Sequence, residues 1–293
     1  MAPSWRNGIA IGVDDTRLFY ETCSKGVPLV LCDGLFCNGH VWKYFISRFC
    51  DTNQLIHWHY PGHGKSASPK STADLSIRRL GQDLCRVLDA VQLDSAVLVG
   101  HSLGVQVSLE TAYRFPDRVN GLILICGAPG KVVQTFHDSR LMEAILPLLG
   151  MGTRFVPRQL SSLWRIMPVN LIVNLVKQSD EIARRLINME DLKPYFEGMV
   201  QTDINIATRI LEQANYHDML PNLHEIVAPT LVIAGNKDRF TPSYRSREMA
   251  EKLPNAVLRI SEEGTHSLPL EQPDLVNLAI ARFLEELQID QRL

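Results

Sequence analysis

Residues 96–108 read AVLVGHSLGVQVS. Four apolar residues run into Gly100, and the chain then passes through Ser102 to Gly104. Beyond that point the apolar positions recur at helical spacing. A buried strand therefore turns straight into a helix, with a glycine two positions either side of one serine. So sharp a turn strains the serine backbone and crowds its neighbours, and glycine relieves the crowding. It also lifts the hydroxyl above the sheet, where an adjacent base can make it a nucleophile. The first turn of the following helix adds a partial positive charge that favours a nearby developing anion.

Outward from this turn, short β-type runs recur at residues 9–13, 17–23, 28–32, 54–60, 95–99, 121–126, 230–234 and 256–260. Several are apolar throughout, as strands covered on both faces are. Helical patterns alternate with them at 76–91, 103–115, 244–253 and 274–287. The first of these sets Ile77, Leu80, Leu84, Val87, Leu88 and Val91 on one face. Alternating β and α units predict an α/β fold, a mostly parallel sheet of about eight strands flanked by helices. The first two strands precede any helix and are expected to pair as an antiparallel hairpin at one edge.

The alternation stops between about residues 130 and 223. That stretch is helical in pattern and rich in large apolar residues, among them Met151, Phe155, Trp164, Met167, Leu171, Ile172 and Phe196. It is expected to be an all-helical cap over the C-terminal ends of the strands, where open α/β sheets bind ligands. The core is then residues 1–129 and 224–293, and the cap residues 130–223.

Composition narrows the function classes. The 293 residues carry 30 Lys and Arg against 32 Asp and Glu, a net charge of −2, with no basic block. Nucleic acid is not an expected partner. The six cysteines form no CxxC pair and several sit in apolar runs, which predicts free thiols in a reducing, cytoplasmic setting. The N-terminal residues do not read as a signal peptide. No run of about 18 apolar residues is present, so no stable membrane insertion is expected.

A nucleophilic serine needs a base, and the base an orienting carboxylate. His266 follows the run 256–260 in the loop Gly264-Thr265-His266, and Asp238 follows the run 230–234 beyond a Gly-Asn-Lys turn. Both would emerge at strand C-terminal ends, on the rim that carries Ser102. The chain order Ser, Asp, His is one of those in which such triads occur.

With these residues in view, the chain resembles the α/β-hydrolase superfamily, in its capped, serine-dependent form, over nearly its whole length. Tyr60-Pro61-Gly62-His63-Gly64-Lys65-Ser66 is similar to that superfamily's turn after the fourth strand. The stretch LVLCDGLFCNG, residues 29–39, resembles its oxyanion loop, where relatives have a His-Gly pair and this chain has Asp33-Gly34. The resemblance implies catalytic roles for Ser102, Asp238 and His266, and an oxyanion hole made by the N–H groups of Leu35 and Leu103. It also implies a substrate pocket near Asp33, Phe36, His101, Trp164 and Met167. An aspartate beside an oxyanion hole opposes the charge that develops there. Asp33 is therefore expected to point away and accept loop N–H bonds.

The implied reaction is hydrolysis of a small to medium hydrophobic ester, without metal or cofactor. Lactone, thioester or carbon–carbon hydrolysis, or a slow-turnover binding protein on the same fold, remain open, as does the oligomeric state. His57 and His59 share a strand face but have no carboxylate or cysteine at ligand spacing in the sequence, so no metal site is expected there.

Overall fold

The computed structural model describes residues 4–131, 140–166, 168 and 185–290. Eight strands form one sheet: β1 (Arg6–Ile11), β2 (Arg17–Cys23), β3 (Val27–Cys32), β4 (Asn53–Trp58), β5 (Ala96–His101), β6 (Val119–Ile125), β7 (Thr230–Gly235) and β8 (Ala256–Ser261). Their order across the sheet is β1-β2-β4-β3-β5-β6-β7-β8. β1 and β2 pair antiparallel at one edge, β2 meets β4 antiparallel, and the remaining pairs are parallel. The eight-stranded, mostly parallel α/β sheet and its edge hairpin match the sequence pattern.

The helices are α1 (Lys43–Phe49), α2 (Ile77–Ala90), α3 (Leu103–Arg114), α4 (Arg140–Phe155), α5 (Pro157–Arg165), α6 (Lys193–Gln201), α7 (Ile204–Tyr216), α8 (Ser243–Lys252), α9 (Leu268–Glu271) and α10 (Pro273–Asp290). Between β6 and β7 the described residues are helices α4 to α7 and short 3₁₀ turns, with one isolated bridge from Gly130 to Asp218. Met167, Leu171 and Ile172 lie outside the described residues.

Alternation along the central strands builds a core on each side of the sheet. Leu29, Leu31, Val97, Val99, Ile123, Ile125 and Ile233 pack with Phe45 and Phe49 of α1 and with Val276, Ile280 and Phe283 of α10. Val30, Ile56, Leu98, Leu122, Leu124 and Val232 pack with Leu80 and Leu84 of α2 and Val105 and Leu109 of α3. Strands buried on both faces leave their C-terminal ends as the place where polar side chains can gather. Helix α1 has no counterpart in the sequence reading. Its seven residues make fewer than two turns, too few to show a 3.6-residue period.

All six cysteines are buried free thiols. Among the described residues, no helix is long and apolar enough to cross a membrane.

Candidate active site

Ser102 sits between the end of β5 and the first residue of α3 with φ 55° and ψ −114°, a strained conformation for any residue but glycine. The flanking glycines are required by contact. A Cβ on Gly100 would run into the Gly104 carbonyl, and one on Gly104 into the Cys32 carbonyl at the end of β3. The Ser102 N–H donates to Ile125 O at 3.1 Å, which ties the turn to β6.

β7 and β8 deliver the other two residues to the same rim. His266 Nε2 lies 3.0 Å from Ser102 Oγ, and His266 Nδ1 lies 2.9 Å from Asp238 Oδ2. The Asp238 carboxylate is buried and held on both oxygens. Oδ1 accepts the N–H groups of Phe240 and Thr241, each at 2.8 Å, and Oδ2 accepts the Thr241 hydroxyl at 2.8 Å. The His266 backbone is fixed as well: His101 Nε2 donates to its carbonyl at 3.0 Å, and Thr265 N–H donates to Glu271 Oε2 of α9 at 2.8 Å. Ser102, His266 and Asp238 thus form a continuous hydrogen-bonded line from a partly buried hydroxyl at the cavity wall to a buried, oriented carboxylate.

The line opens on a cavity of about 360 Å³. Its walls include Leu35, Phe36, His101 and Leu103 from the core and Trp164, Leu192, Phe196, Ile204 and Leu211 from the segment between β6 and β7. Leu103 begins α3, where the first-turn N–H groups have no acceptor within the helix, and Leu35 follows Gly34 in the facing loop. The structure therefore brings both oxyanion candidates beside Ser102. His101 is buried, and burial followed by the neighbouring His266 pushes its pKa down to about 3. It is neutral, and its visible role is to anchor the His266 carbonyl. Phe36 and Trp164 meet at the cavity wall with ring centroids 6.1 Å apart. Met167 lies outside the described residues.

Asp33 corrects the sequence reading. It does not line the cavity, and its partners are side chains rather than loop N–H groups. Asp33 Oδ1 accepts Trp42 Nε1 at 2.7 Å, and Oδ2 meets His57 Nε2 at 2.9 Å. Glu21 Oε1 lies 3.3 Å from His57 Nδ1. Burial disfavours a charge on His57, but the Asp33 and Glu21 carboxylates outweigh it and raise its pKa to about 9. Asp33 is likewise held below the ordinary carboxylate range, against the effect of its own burial, by His57, His59 and Trp42. The negative charge of Asp33 is therefore matched by the neighbouring His57 cation. Sequence spacing hid these partners, because Glu21 and Asp33 reach His57 only across the sheet. Among the described residues no group of three His, Cys, Asp or Glu side chains is arranged to hold a metal ion.

Sequence reasoning also passed over Thr241, Glu271, His40 and Tyr195. Thr241 had a signal, since Asp followed three residues later by Thr is a local turn spacing. His40 and Tyr195 come together only across a long stretch of sequence.

Known proteins match over the same span. The protein named "Putative carbamate hydrolase RutD" of Azorhizobium caulinodans is 28% identical over 280 residues, covering 94% of this chain and 97% of that protein. Among solved structures, the esterase EaEST from Exiguobacterium antarcticum superposes with a TM-score of 0.78 at 20% identity, covering 94% of this chain and 98% of that one. The enol-lactonase from Burkholderia xenovorans LB400 superposes with a TM-score of 0.75 at 20% identity, covering 95% and 100%. The family model of the alpha/beta hydrolase fold matches residues 27–273, and the chain belongs to the α/β-hydrolase fold family.

Proposed function

We propose that this chain is a serine hydrolase that cleaves small to medium hydrophobic carboxylic esters through an acyl-enzyme at Ser102. The observation that carries this reading is the line Ser102–His266–Asp238, with spacings of 3.0 and 2.9 Å, opening on an apolar cavity. His266 Nε2 takes the Ser102 proton as Oγ attacks the ester carbonyl. Asp238 holds the Nδ1–H tautomer and stabilises the imidazolium that forms. The tetrahedral oxyanion is received by the Leu35 and Leu103 N–H groups, each such donor contributing roughly 2.7–4 kcal/mol in comparable sites. The alcohol leaves with the proton from His266, and water then repeats the sequence and frees the acid. The chemistry needs no cofactor.

In this reading residues 130–223 act as the lid and residues 1–129 and 224–293 as the core. The cavity walls from α5, α6 and α7 support that division. The six buried free thiols support a reducing, cytoplasmic setting. A second reading, carbamate hydrolysis, is favoured by the 28% identity to a protein of that name and uses the same residues in the same roles.

The test is steady-state hydrolysis of p-nitrophenyl esters from acetate to long acyl chains, with an aryl carbamate alongside. Wild type is expected to turn over, and Ser102→Ala to lose roughly 10⁴–10⁶ in kcat. Equal rates in the two proteins would remove Ser102 from the chemistry. Turnover of the carbamate alone would select the second reading.

A further inference from the structure

The cavity wall carries two polar groups that the proposed reaction does not use. His40 opens a short 3₁₀ turn (His40–Trp42) after the loop that carries Leu35, and Tyr195 stands on α6. Both line the cavity, and their ring centroids are 5.1 Å apart. His40 Nδ1 lies 2.5 Å from the Cys37 carbonyl. A carbonyl only accepts, so Nδ1 carries the proton. Burial holds the imidazole pKa below its ordinary value, which leaves the ring neutral and Nε2 a bare acceptor. Tyr195 is the complement. Burial pushes its phenol well above the ordinary value, so it remains a protonated donor. Among the described residues neither His40 Nε2 nor the Tyr195 hydroxyl has a hydrogen-bond partner. An apolar ligand filling the cavity would strip water from both groups and return nothing.

We propose that His40 and Tyr195 form a polar subsite that selects acyl groups bearing a hydroxyl. A hydroxyl answers both with one oxygen, donating to His40 Nε2 while accepting from the Tyr195 O–H. An N–H would satisfy only the imidazole, and a carbonyl only the phenol. The two residues come from different segments, one following β3 and one on α6, so a bridging hydroxyl also ties these segments together. A site built to pair a hydroxyl discriminates against the analogue that lacks it, because the alkyl analogue leaves buried polar groups unmatched. The inference rests on the hydrolase reading for the seat of the acyl group.

The experiment separates binding from turnover. Ser102→Ala protein is titrated calorimetrically with p-nitrophenyl hydroxyacyl esters, the hydroxyl moved along the chain, and with partners carrying methyl in its place. At one chain position the hydroxyl should tighten Kd by about tenfold over methyl. In the Ser102→Ala background, His40→Phe and Tyr195→Phe should each bring that ratio close to one. Tyr195→Phe removes a single oxygen, and it decides the matter if His40→Phe does not fold. A hydroxyl that never improves Kd, or a preference that survives both substitutions, overturns the subsite. The wild-type ester assay is read independently. If neither ester nor carbamate turns over, the hydrolase reading has failed, while the ratio of Kd values still decides the subsite.

Discussion

At the scale of single residues, the turn around Ser102 is set by how close three backbones come. A methyl on Gly104 meets the Cys32 carbonyl, a backbone group that can yield only if α3 moves away from β3. Gly104→Ala should lower stability by roughly 1–3 kcal/mol. It should also cut kcat by about a hundredfold, by displacing Ser102 Oγ from His266. Gly152, inside α4, is the contrast. A methyl there meets only Leu160 Cδ2 at 3.4 Å, an ordinary contact. Gly152→Ala should therefore stabilise by about 0.5–1 kcal/mol through helix propensity, with kcat unchanged. Urea unfolding and ester kinetics on both variants check the pair, and equal effects at the two positions would remove the steric account. The requirement at Gly104 was legible because it follows from a local motif. The partners of Asp33 were not, since His57 stands 24 residues away.

At the scale of elements, strand register explains those partners. His57 of β4 stands opposite Glu21 of β2 and opposite Leu31 of β3, two residues before Asp33. Once β4 lies between β2 and β3, the imidazole is flanked by a carboxylate on either side. Sequence periodicity gives each strand but not which strands are neighbours, so this charge arrangement appears only with the sheet order. It has a consequence for stability against pH. The His57 pKa is raised from an ordinary 6.5 to about 9, so its contribution is complete below pH 6.5 and is lost as pH rises through 9. Asp33 is lowered, so its contribution holds above the ordinary carboxylate range and is lost in acid. His59 is pushed to about 4 by burial and the charged His57, and His101 to about 3. Both take up protons in the unfolded chain before they do in the folded one, so stability also falls as pH drops below 6.5. Burial raises Asp83 to about 6, which offsets part of that acid loss. Stability measured by urea unfolding should peak near pH 6.5 and decline toward 9. In Asp33→Asn the decline between pH 6.5 and 9 should flatten, because His57 loses its main counter-charge. Since Asp33 does not line the cavity, kcat/KM should fall less than the roughly hundredfold that follows loss of one oxyanion donor. A decline of the same slope in both proteins would assign it to another group.

At the scale of the whole molecule, the sheet and the meeting of Ser102, His266 and Asp238 at one rim were readable because each rests on short-range pattern: apolar runs, helical spacing, and a residue just past a strand end. The full shape of the cavity was not, because its walls come from several distant stretches that meet only when the chain folds. Trp164 shows the difficulty. The resemblance placed it near the pocket but could not give its contacts: its indole donates to Met199 O of α6 at 2.9 Å while its ring faces Phe36 of the loop after β3. The side chain therefore joins α5, α6 and the core at one wall of the cavity. Trp164→Ala should open that wall. Being only half-buried, the residue should cost less on truncation than the roughly 3–5 kcal/mol typical of a fully buried tryptophan. The acyl-chain optimum on the p-nitrophenyl ester panel should move to longer chains, with kcat/KM for acetate falling as short groups lose a contact surface. Ser102 reactivity should persist, read as the burst of p-nitrophenol from the first turnover. A variant that keeps the burst and keeps the wild-type chain-length optimum would mean that the acyl group does not occupy this cavity. The serine would then have to receive its substrate from another direction.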